Sequence, residues 1–149
     1  GLSGRVVSCG TRFWESAYDA AYEAMPRVWD VDALDQPTGI LTVSDVGSWA
    51  ALKWLAERNI RVPEDVSVMG YNDERPSRFT MPALTTMRFN AVEMVKSALQ
   101  CLNLPKTELA EIWVHPHIVV RESTAPPPTS RSKTPRIGKR SKTILTAAE

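Results

Sequence analysis

The chain has 149 residues, 43% of them hydrophobic, and a formal net charge of +1. That length and apolar content can bury a single core, so one domain is expected. No run of about 18 apolar residues suggests a spanning helix, and no charged-then-apolar leader is visible. The charge is unevenly placed. Up to Thr124 there are 12 Lys/Arg against 16 Asp/Glu, a balance of −4, while from Ala125 onward the balance is +5. A mildly acidic folded part does not suggest a nucleic-acid surface, and the positive charge belongs to a tail.

Arg5 to Cys9 reads as a short apolar strand. Helical spacing follows from Phe13 to Met25, with Phe13, Ala17, Ala20, Ala21 and Ala24 able to share a face, and Pro26 is expected to end it. Asp30 to Thr38 is an acidic loop, and Gly39 to Val43 the next strand. A second helix runs from Ser44-Asp45 to about Arg58. Either Ser44 or Asp45 can cap its first N–H groups, and Asn59 can close it. Strand Val66 to Gly70 completes a β-α-β-α-β run, the pattern of an α/β fold with a mainly parallel sheet. Leu84 to Met87 is a short strand or a crossover. Ala91 to Leu102 is a third helix with Val92, Val95, Leu99 and Leu102 along one stripe. Trp113 to Val120 is a last strand that Pro116 confines to an edge or bulge. Cys9 and Cys101 lack metal spacing and read as reduced, buried small hydrophobes of a cytosolic protein.

The most informative stretch is Val62 to Asp73, Val-Pro-Glu-Asp-Val-Ser-Val-Met-Gly-Tyr-Asn-Asp. It describes a loop feeding a buried strand whose carboxyl end opens into a polar corner. Parallel α/β sheets bind ligands just beyond such strand ends, although Asn72-Asp73 also suits an Asx turn. Together with Thr42-Val-Ser-Asp45, Pro82-Ala-Leu-Thr-Thr86 and Val119-Val-Arg-Glu-Ser-Thr124, this stretch resembles the effector-binding core of LacI/GalR-type transcription regulators, built like a periplasmic sugar-binding protein. The resemblance covers residues 1–124.

The resemblance implies a three-layer α/β/α subdomain with a mainly parallel sheet. Beyond it, three consecutive prolines followed by Ser, Thr, Lys and Arg with few large apolar residues read as a disordered basic tail over 125–149. It implies the C-terminal effector-binding part of a larger cytoplasmic regulator whose DNA-reading helix-turn-helix lies outside this chain. In that family a small molecule, commonly a sugar, closes a cleft between two subdomains and changes the spacing of paired DNA-reading heads. A periplasmic sugar-binding protein of a transporter is the alternative on the same architecture.

By position, the resemblance makes Asn72 and Ser44 ligand contacts at two strand ends. Both carry hydrogen-bonding groups, and both depart from the family's common residue. Asp45 and Asp73 belong to the same constellation, more as cap and corner. An aromatic ring stacking on the effector falls among Arg12, Phe13 and Trp14, and Phe13 is the choice, with a core position as its other reading. The resemblance implies a homodimer through Trp49, Lys53, Phe79 and Thr80, for which intramolecular packing is equally open. It also places the third helix against the other subdomain. In this chain that helix is therefore expected to fold back on the sheet or be covered by another chain. His115-Pro-His117 lacks a carboxylate or thiol cluster and reads as exposed edge-strand histidines. No phosphate loop, nucleophile elbow or paired carboxylates appear, so no cofactor, metal or enzyme activity is expected.

Overall fold

The structure is a computed structural model and describes residues 4–10, 16–32, 36–102 and 112–126. Chain order is α1 (Ala17–Trp29), β1 (Gly39–Leu41), α2 (Asp45–Ala56), β2 (Ser67–Tyr71), a 3-10 turn (Arg75–Arg78), β3 (Thr85–Arg88), α3 (Ala91–Leu102) and β4 (His117–Val119). The four strands lie side by side in the order β1-β2-β3-β4. β1 pairs parallel to β2 from Gly39 opposite Ser67, and β2 parallel to β3 from Met69 opposite Thr85. β4 joins β3 antiparallel at the edge, with Thr86 opposite Val119. The sheet is thus mixed but mostly parallel, as the sequence pattern requires.

α2 packs on the sheet through β2, and α1 packs on α2. The core joins Leu52, Trp54 and Leu55 of α2 to Val66, Val68 and Leu84, with Met25 contributed by α1. Burying each such side chain favours the fold by roughly 1.5–3 kcal/mol. β2 alternates as the pleat demands, with Val68 and Gly70 buried between half-buried neighbours. Ser123 extends the sheet where strand pairing stops. Its carbonyl accepts from Val68 N–H at 2.8 Å, and its hydroxyl donates to Val68 O at 2.6 Å and accepts from Thr85 N–H at 2.8 Å.

Several elements differ from the sequence expectation. Arg5 to Cys9 forms no strand, and Val6 is exposed. Arg5 instead donates to the carbonyls of Arg27 and Val28, and Arg27 to Ser8 O, so long cations tie this segment to the C-terminal end of α1 rather than to the sheet. Pro26 does not end α1. Its ring removes only the bond that its own N–H would make, while its carbonyl still accepts from Asp30 N–H at 2.8 Å, so the last turn continues and Val28 and Trp29 reach the core. Cys9 is exposed and Cys101 half-buried, and both are free thiols. α3 has the expected bounds but does not fold back on the sheet. It leaves β3 after Phe89-Asn90, with Asn90 Oδ1 accepting from Glu93 N–H at 3.1 Å, and none of its residues is buried. Along it Val92, Val95, Leu99 and Leu102 are 56–79% exposed. Residues 127–149, most of the expected tail, lie outside the described residues.

Gly70 marks the tightest point of the packing. A Cβ there would stand 2.2 Å from Asp45 Oδ1 and 3.1 Å from both Ser48 Oγ and Leu84 Cδ2. Gly70→Ala is expected to cost about 3 kcal/mol in chemical denaturation, at the upper end of overpacking effects. Gly39→Ala, whose Cβ meets only Ser67 O at 4.0 Å, should change stability by no more than roughly 0.5 kcal/mol. Equal effects of the two would show that the crowding around Gly70 is absent.

Candidate functional site

β1 and β2 run parallel, so their carboxyl ends lie at the same edge of the sheet. Thr42 N–H continues the ladder to Met69 O at 3.0 Å, and the same register carried forward brings Ser44 level with Asn72. Ser44 is in extended conformation as the N-cap of α2, yet its hydroxyl does not cap the helix. Asn72 donates its backbone N–H to Met87 O at 2.8 Å. Both side chains are half-buried, and neither makes a side-chain hydrogen bond to another described residue. Two adjacent strand ends thus present a hydroxyl and an amide to the open end of the sheet, able between them to donate and accept.

Asp45, a candidate contact in the sequence, is sealed from solvent. One carboxylate oxygen accepts from Glu74 N–H and Ser77 Oγ–H, each at 2.7 Å, and the other from the Thr86 hydroxyl. The charge sits in the first turn of α2, where the helix dipole favours an anion. Ser77 in turn accepts from Trp49 Nε1–H at 3.1 Å. The result is a buried network joining α2, the corner after β2, the 3-10 turn and β3.

Asp73 completes the corner. Its N–H donates to Thr86 Oγ1 at 3.3 Å, and its carboxylate, 2% exposed, pairs with Arg88 and Arg121. The Arg88 Nε–H donates to Asp73 Oδ2 at 2.6 Å. Asn72 and Asp73 both hold positive φ, +112° and +55°; Asp73 lies in the left-handed region that Asn and Asp tolerate better than most residues, and Asn72 lies beyond it. Sequence reasoning found the corner but not Arg88, Arg121, Ser77 or Thr86. Thr86 and Arg121 stood inside the recognised segments, yet their partners are 41 and 48 residues away and leave no local trace.

The remaining candidates are spread more widely. Phe13 lies outside the described residues. Trp49 is half-buried against the core, Lys53 pairs with Glu57 at 2.6 Å, and the Thr80 hydroxyl donates to Pro82 O at 2.8 Å. Phe79 and Met81 are 74% and 94% exposed.

Burial alone would raise the pKa of Asp73, but the hydrogen bonds and charges of Arg121 and Arg88 outweigh it and hold the carboxyl below its ordinary value. A depressed carboxyl contributes stability that is complete above its unfolded pKa, about 3.9, and lost as pH falls through the folded value. Thermal stability should therefore decline on acidification below about pH 4. Asp73→Asn should flatten that limb, and an unchanged acid limb in Asp73→Asn would assign it to other groups.

A model of the periplasmic binding protein-like domain matches residues 3–124. The HTH-type transcriptional repressor PurR of Pasteurella multocida is 35% identical over 106 residues, 68% of this chain and 31% of that protein. A LacI-family regulator from Sanguibacter keddieii superposes with a TM-score of 0.58 at 30% identity, covering 73% of this chain and 43% of that one. The transcriptional regulator CelR in its cellobiose complex gives a TM-score of 0.57 at 31% identity, over 71% and 33% of the two chains. The chain spans about a third of the length of the curated relatives it matches. It belongs to the periplasmic binding protein-like domain family, and it is similar to part of the LacI-family regulators among these relatives.

Proposed function

We propose that the chain supplies one wall of an effector cleft, with Asn72 and Ser44 as the ligand-facing groups and a sugar as the effector. The observation that carries this reading is their position on adjacent parallel strand ends, half-buried and with no side-chain hydrogen bond to another described residue. A neutral hydroxyl and a neutral amide suit the donors and acceptors of a polyol. CelR in complex with cellobiose is one relative of this kind. Asp45 and Asp73 serve the site indirectly, since their carboxylates are occupied by protein donors. Phe13 is the ring we assign to the apolar face of the sugar.

The reading extends to the partners of the whole regulator. The effector binds one arrangement of the two subdomains better than the other, and that difference in affinity sets the spacing of DNA-reading heads elsewhere in the protein. Trp49, Lys53, Phe79 and Thr80 form the proposed homodimer face, with Phe79 as its exposed apolar anchor. α3 is the element that a second subdomain covers. Its open stripe of Val92, Val95, Leu99 and Leu102 represents roughly 1.5–3 kcal/mol per side chain awaiting burial. We place the whole protein in the cytoplasm, with the basic tail outside the domain and beginning after Ala125, whose N–H donates to Ser67 Oγ of β2 at 3.1 Å.

One wall of a cleft binds weakly, and the reading places the DNA reader outside residues 1–149. The chain is expected to give no sequence-specific gel shift and no micromolar affinity in a sugar titration; either would overturn the reading. Light scattering should show association beyond the monomer, and Val95→Glu with Leu99→Glu should remove the part of it that α3 makes while leaving the Phe79 face intact. A clean monomer with rapid amide exchange throughout 91–102 would contradict the assignment of α3.

A further inference from the structure

Arg121 follows β4 and differs from the other arginines around the corner. Arg75 and Arg78 are exposed and the Arg88 side chain is 40% exposed, whereas that of Arg121 is 13% exposed. Its backbone N–H donates to Thr85 Oγ1 at 2.9 Å, Nη1–H donates to Leu84 O at 2.7 Å, and Nη2 pairs with Asp73. Both neighbours are themselves immobilised, since Leu84 and Thr85 are buried. The two halves of one guanidinium fork therefore join a fixed point beside β3 to the corner beyond β2.

That corner is also held from outside its own backbone. Asn72 and Asp73 stand at φ +112° and +55°, and the bonds of their own backbone, Asn72 N–H to Met87 O and Asp73 N–H to Thr86 Oγ1, fix only its inner side. The outer side is held through the Asp73 carboxylate. The groups facing it are Arg88 of β3 and Arg121 of the segment after β4. Glu74 follows it in the chain, and Asp45 shares Thr86 with it. Water competes for Arg88 but scarcely for Arg121, so the enclosed pair is the stiffer restraint.

We propose that Arg121 is a positioning residue for the effector site: it holds Asp73 and thereby fixes the strained backbone that aims the Asn72 amide. Its functional meaning rests on the reading of Asn72 as a ligand contact. The segment Val119-Val-Arg-Glu-Ser-Thr124 thus has two tasks, sheet extension through Ser123 and alignment of the binding corner through Arg121.

The test is NMR of the isotope-labelled 149-residue chain, comparing Arg121→Met, Arg121→Lys and Asp73→Asn well below their melting temperatures. Arg121→Met should move the Cα and amide resonances of Asn72 and Asp73 and speed Asn72 amide exchange by roughly tenfold, while Val68 and Leu55 stay in place. Arg121→Lys, which keeps the charge but loses the fork, should restore part of the wild-type corner. If Arg121→Met does not fold, Asp73→Asn, which leaves the bond to Leu84 O intact, must reproduce the corner-specific changes. Unmoved Asn72 resonances in a folded variant, or shifts spread evenly through the core, would overturn the proposal. Millimolar cellobiose separates the two claims. A corner that loosens in the variants, while wild-type Asn72 ignores the sugar, leaves the clamp standing and removes cellobiose as the ligand.

Discussion

The structure depends on one buried charge. The Asp45 carboxylate is closed off from water and accepts hydrogen bonds from Glu74 N–H, Ser77 Oγ–H and the Thr86 hydroxyl. An ion in that position is tolerable only because these donors and the amino end of α2 replace its hydration. Two donors come from the 3-10 turn and its N-cap after β2 and the third from β3, so satisfying one anion fixes the start of α2, that turn and β3 relative to one another. Gly70 is the corollary, because a side chain there would occupy the volume that the carboxylate fills.

A second anion at the same end of the sheet works differently. Asp73 stands in a left-handed conformation and is neutralised by two arginines rather than by neutral donors. Between them the two aspartates spend their charge on protein groups and leave Ser44 and Asn72 uncommitted. The site we propose would on this arrangement be preorganised, with neutral groups left for the ligand and the neighbouring charges internally paired. The apolar stripe of α3 belongs to a different level of organisation. It is exposed in a chain that covers about a third of its relatives' length, and it is the surface through which this wall meets the rest of the core in our reading.

Much of this was legible in the sequence where the cause was local. The twelve residues of α3 follow from a 3.6-residue stripe, and β2 from a β-branched run ending in Asn-Asp. Pro116 confined the last strand to an edge, where β4 lies. The failures have a common source in long-range contacts. Arg5 to Cys9 has strand composition, but a strand exists only where an edge receives it; here Arg5 donates to the Arg27 and Val28 carbonyls at the end of α1, and Arg27 of α1 donates back to Ser8 O. Asp45 looked like a helix cap from its neighbours, whereas its real partners are 29 to 41 residues away. Pro26 carried a valid stop signal that the packing of Val28 and Trp29 overrode.

The central claim is that the corner formed by Ser44 and Asn72 faces the effector. The most direct measurement is a chemical-shift titration of the labelled chain with glucose and with cellobiose, followed residue by residue. The account predicts weak, saturable shifts centred on Val43, Ser44, Asn72 and Asp73. Shifts confined to other parts of the molecule, with that corner unmoved at saturation, would contradict it.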